Sequence, residues 1–299
     1  MKLCATTGDF AAYYTTDAER LRELAAAGFR YADFCMYRDE AAAYMHDNWR
    51  KDIHCLKDDA ERLGITFVQA HAPGFEALET LDPREDPVEK TRQTIRSIEI
   101  CGELGIPMIV VHAGVKRNTP MEETFRLNKE FYQKLVPAME QTGVQVLVEN
   151  VGIRDNEGRV YMNSAKRLLD FLDYFDHPLL GICWDTGHAN VFGKQHDEIV
   201  KLGKHLRAIH YNDNDGVGDL HSGPFLHKLD NDDTMRGLMD VGFRGPFTFE
   251  CDCTVQYKLR AFDNLKGCPK ASLPVARAYE KALYETGKYL LTTYGLFEE

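Results

Sequence analysis

Eight short apolar runs, each separated from the next by a longer amphipathic stretch, constrain this chain more than any other feature. They cover 3–6, 31–35, 66–70, 108–112, 144–149, 180–184, 208–211 and 247–251. The runs are rich in Val, Ile and Phe and nearly continuous, as parallel strands covered on both faces should be. The stretches between the early runs, 17–27, 40–63, 87–104 and 120–142, read as helices. Each stops at a glycine: Gly28, Gly64, Gly105 and Gly143. Glycine just past the last turn takes the left-handed conformation at little cost and ends the helix there. Further helices are expected over 164–175, 194–202, 232–240 and 274–291.

Strands alternating with helices in a chain of 299 residues predict an α/β fold, a closed (β/α)8 TIM barrel forming one domain over 1–299. An open doubly wound sheet would place a glycine-rich phosphate turn after its first strand. Thr7-Gly8-Asp9-Phe10 does not supply one. The stretch 257–272 is the least regular and reads as a long loop.

Charge and composition narrow the partners. The formal charge is −11, with acidic residues spread along the chain and no long Lys/Arg run. Proteins that grip nucleic acid take most of their affinity from phosphate contacts, so nucleic acid is not an expected partner. No apolar run reaches the length of a membrane span, and the first residues show no signal-peptide core. The 8 cysteines are scattered, Cys251 and Cys253 being the closest pair, without the paired spacing of a zinc site. They read as thiols in a reducing compartment, and the cytoplasm is the expected location.

Chemistry concentrates where the strands end. In an α/β barrel, catalytic groups sit at the C-terminal ends of the strands. Six consecutive strand ends here carry His71, His112, Glu149 with Asn150, Asp185 with His188, His210 with Asp213, and Glu250 with Asp252. Taken singly, each has an ordinary reading: a core histidine, a surface ion pair, or, for Asp185, an N-cap to the next helix. Together on one rim they point to a site. Buried carboxylates need a partner charge, and a divalent cation is the simplest way to hold Glu149, Asp185 and Glu250 together.

The runs Val148-Glu149-Asn150, Trp184-Asp185-Thr186-Gly187-His188, His210-Tyr211-Asn212-Asp213 and Phe249-Glu250 resemble the xylose isomerase-like TIM-barrel superfamily. That group contains sugar phosphate isomerases and epimerases of the tagatose 3-epimerase type, inositol-catabolism enzymes and the endonuclease IV repair enzymes. The resemblance implies that Glu149, Asp185, His210 and Glu250 hold one divalent ion. Oxygen-rich ligation suits Mn2+, with Mg2+ or Co2+ as alternatives, and Zn2+ if the site is nuclease-like. It also implies a metal-dependent isomerase or epimerase that takes a proton from carbon beside a carbonyl, through an enediolate, with Glu149 and Glu250 as the two acid/base groups. His188, His112, His71, His221 and Trp184 would then line the substrate, a small sugar or sugar derivative. Phe10, Phe75 and Phe225 are further stacking candidates, although ordinary packing is the commoner role of such rings.

The superfamily supplies three alternatives. Lyases that cleave oxidised C-glycosides or dehydrate keto-inositols begin with the same proton abstraction. Endonuclease IV enzymes hold three zinc ions through nine ligands, and His71, His112, His188, Asp219 and His221 match the additional positions. Against that reading, the loop after His71 is acidic and apolar, and the glycine-rich continuation after His221 is replaced by Ser222-Gly223-Pro224-Phe225. A non-catalytic metal-binding subunit would be expected to have lost a ligand, and all four are present. The chain departs from the tagatose-epimerase pattern at Gly216, where that group carries Arg, which puts a free ketose in doubt. The later loops hold Lys228, Arg236 and Lys258 but no glycine-rich phosphate cradle, which favours an unphosphorylated substrate. A homo-oligomer, or a complex with a small partner subunit, is compatible with the group.

Overall fold

The computed structural model describes residues 1–37, 41–74, 87–114, 119–151, 161–251 and 271–298. Phe75, Asp252, Lys258 and most of the 257–272 stretch lie outside the described residues. The strands are β1 (Lys2–Thr6), β2 (Tyr31–Cys35), β3 (Thr66–His71), β4 (Met108–His112), β5 (Gln145–Glu149), β6 (Leu180–Asp185), β7 (Leu206–Tyr211) and β8 (Pro246–Phe249). They close in sequence order into a parallel barrel, with β1 pairing β8.

The helices of the first half are α1 (Asp17–Ala27), α2 (Trp49–Leu63), α3 (Pro87–Leu104), α4 (Met121–Gln133) and α5 (Val136–Thr142). Those of the second half are α6 (Ala165–Phe175), α7 (Thr186–Asn190), α8 (His196–Leu202), α9 (Asn231–Asp240) and α10 (Leu273–Thr293). Two helices differ from expectation. The stretch 120–142 is two helices, because Pro137 has no N–H to donate and its ring opposes the preceding turn, so α5 restarts with proline in its first turn. The stretch 40–63 begins with a 3-10 turn over Ala41–Tyr44, and the α-helix starts only at Trp49. Gly64 and Gly143 do end their helices in the left-handed conformation.

Alternation along the strands decides which side chains face the barrel axis. Val110, Leu147, Cys183 and Ala208 form a small apolar cluster separate from the main core. Two residues further along the same strands stand His112, Glu149, Asp185 and His210. One step of the pleat therefore turns an apolar plug into a polar floor at the mouth. The outward-facing residues between them, Val111, Val148, Trp184 and Ile209, join the main core under the helices.

One buried polar pair lies apart from that floor. Glu280 on α10 is buried near Asp9, in the 3-10 turn after β1. Burial pushes the Glu280 carboxyl up to about 8. The folded state thus keeps a proton that the unfolded chain releases above its ordinary pKa of roughly 4.3. The proton's contribution to stability is complete below that value and falls as pH rises to about 8, by up to about 1.4 kcal/mol per pH unit. Glu280→Gln keeps a donor without the ionisation. Its denaturant midpoint is expected to gain on wild type steadily between about pH 5 and pH 8.5. A constant difference across that range would show that Glu280 does not titrate in the folded protein.

Candidate metal centre at the barrel mouth

Strand register brings the strand-end residues together. His112 pairs with Glu149 between β4 and β5, and Asp185 pairs with His210 between β6 and β7. The second pairing follows a register shift at Ile182/Cys183. Such irregularities commonly re-aim side chains beside functional sites. Glu250 follows β8 directly, and its N–H continues the pairing to the Tyr211 carbonyl at 3.3 Å.

Glu149 is the centre of the cluster and fully buried. Its Oε2 lies 3.1 Å from His112 Nε2, 3.3 Å from His210 Nδ1 and 3.6 Å from His71 Nε2. Its Oε1 lies 3.4 Å from His188 Nδ1. His210 Nδ1 is also 3.4 Å from Glu250 Oε1. Beyond them, His221 lies 3.1 Å from Asp219, and His188 Nε2 lies 3.4 Å from the same carboxylate.

The sequence motif Asp-Thr-Gly-His has a local physical explanation. Asp185 accepts the His188 N–H at 2.6 Å as the N-cap of α7, so the capping role and a ligand role coexist. Its other oxygen accepts from Asn212 Nδ2 at 2.7 Å. Thr186 donates to the Asn212 carbonyl. Gly187 leaves room for that asparagine, since a Cβ there would stand 1.8 Å from Asn212 Oδ1. Asn150 clamps β5 to β6 by accepting the Asp185 N–H at 2.7 Å and donating to the Asp185 carbonyl at 2.9 Å.

Burial and charge act in opposition across the cluster. Burial opposes protonation of His210, but Cys183, Glu250 and Glu149 hold its pKa well above the imidazole range. His188 is likewise raised against burial, by Asp185 and Asp219, and His221 is raised to about 10, chiefly by Asp219. His71 is raised by Glu149 and Glu250, again against burial. At His112 burial wins and the pKa falls. Burial would lift Glu149, yet His210 and His112 hold it well below the usual carboxylate range. Asp185 and Glu250 are both raised, by burial. Protons on imidazoles thus balance the carboxylates, and a cation would take over that task.

The donor set fits a divalent ion. One ligand atom each from Glu149, Asp185, His210 and Glu250 lie within 4.8 Å of one another. Glu149 Oε1 and His210 Nδ1 are buried and find no hydrogen-bond partner among the described residues. Three further thiol-free groupings meet the same test: His71 with His210 and Glu250, His71 with His112 and Glu149, and His188 with Asp219 and His221. The Cys183 thiol also groups with Glu149 and His210, and burial pushes its pKa up to about 12.

Of the expected substrate-lining residues, His71, His112, His188 and His221 all reach this cluster. Trp184 does not. It faces away from the axis, is 1% exposed, and donates its indole N–H to Gln195 at 3.0 Å. The alternation that points Asp185 inward points its neighbour outward, so Trp184 packs under α8 instead of lining the mouth. Phe10 is buried in the core, whereas Phe225 is exposed on the loop before α9. Tyr37 was not singled out in the sequence, yet its ring packs edge-on to His71 at 5.0 Å and beside His112 at 5.7 Å. Lying beyond the end of β2 with no motif around it, Tyr37 gave no sequence signal.

Comparison with known proteins agrees with this architecture. The family model of the xylose isomerase-like TIM barrel matches residues 21–267. The chain belongs to that family. A probable endonuclease 4 of Nitrosopumilus maritimus is 30% identical over 171 residues, covering 50% of this chain and 56% of that protein. A ketose 3-epimerase of Arthrobacter globiformis is 25% identical over 175 residues, covering 56% of this chain and 57% of that protein. The chain thus spans little more than half the length of these two relatives. A solved structure of a D-tagatose 3-epimerase-like protein superposes with a TM-score of 0.70 at 20% identity, covering 98% of each chain. At that identity it shows the shared fold. No described helix is long and apolar enough to cross a membrane.

Proposed function

We propose that this protein is a metal-dependent sugar epimerase or isomerase that moves a proton at a carbon beside a carbonyl. The observation that carries the reading is the four-residue grouping of Glu149, Asp185, His210 and Glu250, in which two glutamates flank one imidazole nitrogen at 3.3 and 3.4 Å. Three carboxylates and one imidazole suit Mn2+ first, then Mg2+ or Co2+. When bound, such an ion polarises a carbonyl and its neighbouring hydroxyl as a Lewis acid. The protein's own groups do the rest. Glu149 and Glu250 take and return the proton on opposite faces of the reacting carbon. His188 and His221 offer ring nitrogens to substrate hydroxyls, and Tyr37 shields the His71 and His112 side of the mouth from water. The similarity to a ketose 3-epimerase and to a tagatose 3-epimerase-like fold supports a sugar as the substrate class.

A specific observation favours a second reading. The three further groupings share the rim with the four-residue centre, and nine side chains in all could hold more than one ion. The resemblance to endonuclease IV enzymes, with their three zinc ions, and the 30% identity to a probable endonuclease 4 point the same way. Phosphodiester hydrolysis is the chemistry such a cluster would serve. The formal charge of −11 weighs against a polyanionic substrate, which keeps this reading second.

Elemental analysis of protein purified without chelator separates the two. The expected result is one ion of the manganese, magnesium or cobalt kind per chain. Two or three zinc ions per chain would overturn the proton-transfer reading and put hydrolysis in its place.

A further inference from the structure

Behind the metal ligands lies a buried polar chain that neither reading uses. Gln69, on β3 one pleat step below His71, is fully buried, as is Asp33 on β2. A register shift between Ala32 and Asp33 brings Asp33 opposite Gln69. The Gln69 amide nitrogen lies 3.1 Å from Asp33 Oδ1 and 2.6 Å from His210 Nε2. Polar groups at this depth cost free energy unless they meet partners, and nothing about core packing calls for them.

We propose that Gln69 fixes the tautomer of His210, presenting its amide oxygen to the Nε2–H so that Nδ1 keeps its lone pair for the metal, while Asp33 anchors the amide from behind. This rests on the metal-centre reading above. The argument runs through the three proton states of an imidazole. With the amide nitrogen toward His210, Nε2 must accept, and the proton sits on Nδ1. That nitrogen faces Glu149 and Glu250, so the proton would occupy the position of the ion. In the doubly protonated ring, two donors would meet at 2.6 Å. In the ring that ligates through Nδ1, Nε2 again carries hydrogen and again meets a donor. Turning the amide end for end resolves both cases, since amide nitrogen and oxygen are nearly equal in shape. The oxygen then stands beside Asp33 Oδ1, an arrangement that requires that carboxyl to carry its proton, the form that burial favours. The Gln69 oxygen then gains two partners, and the amide nitrogen takes the position that has no hydrogen-bond partner among the described residues.

Gln69 is thus a positioning residue, acting on the metal through His210. Partners of this kind, when removed, typically cost about 10- to 100-fold in metal affinity. The test is calorimetric titration of metal-free protein with Mn2+, comparing wild type, Gln69→Leu and Gln69→Glu. Gln69→Leu keeps the volume and loses the acceptor, and should bind roughly 10- to 100-fold more weakly. Gln69→Glu offers acceptors only, and should bind within about threefold of wild type. The nitrogen NMR spectrum of His210 should show the proton on Nε2 in wild type and in Gln69→Glu. Wild-type affinity in Gln69→Leu, or equal weakening in both variants, overturns the role. Wild-type protein that takes up no Mn2+ overturns the metal reading itself, and this role with it.

Discussion

Glu149→Gln is expected to abolish turnover, by about four orders of magnitude or more, and to strip the metal at the same time. The exchange keeps size and shape, so the barrel should stay folded with an unchanged circular dichroism spectrum. What it removes is the charge on which the cluster converges. Four imidazoles, those of His71, His112, His188 and His210, lie within 3.6 Å of this one carboxylate. Glu149 also belongs to two of the candidate ligand groupings that hold no thiol, the four-residue centre and the His71–His112 grouping. Loss of an acid/base group alone typically costs about 10²- to 10⁴-fold. Loss of a shared ligand adds to that, because the remaining carboxylates no longer balance the ion. Turnover on a sugar panel and metal per chain are the measurements. Near-normal activity with full metal content would remove Glu149 from the mechanism and from the centre together.

The sequence made most of this architecture legible because barrel strands buried on both faces leave long apolar runs that no turn interrupts. All eight runs became strands, each within a residue or two of its expected ends. The rim was legible for a related reason. A polar residue at or just past the end of such a run must sit at the mouth, which places His71, His112, Glu149, Asp185, His210 and Glu250 together. Trp184 shows the limit of that logic. Nearness in sequence to a site residue says little in a strand, where the next side chain points the opposite way. Gln69 and Asp33 show another limit. They lie inside runs that read as strand core, and only the register shift on β2 reveals that they meet. Asp219 and His221 stand between these cases. Their likeness to the Asp-x-His element of the endonuclease IV group marks them as a pair, but their reach to His188 depends on the fold of the loop after β7, which the Asp213–Ser222 bridge closes. Asp213 then holds that loop by accepting the N–H groups of His227 and Leu229.

Glu250→Gln should separate the two halves of the proposed reaction. Glu250 follows β8 and keeps 16% of its side chain exposed, whereas Glu149 is enclosed. Their oxygens approach His210 Nδ1 from different strands, on β5 and after β8. If each serves one face of the reacting carbon, loss of Glu250 leaves Glu149 able to remove a proton but with nothing opposite to return one. Net epimerisation is then expected to fall by about 10²- to 10⁴-fold. In deuterated water, one epimer should still exchange its carbon-bound hydrogen without inverting, because Glu149 gives back a deuteron on the face it has just deprotonated. The other epimer, whose hydrogen faces the missing carboxylate, should neither exchange nor invert. Proton NMR of each epimer incubated separately with the variant reads both outcomes. Metal per chain is measured beside it: exchange lost equally from both epimers with the metal retained would overturn the one-face-each assignment, whereas loss together with the metal would show the ligand role of Glu250. Equal exchange retained in both would leave Glu149 serving both faces, and the reaction would need only one base.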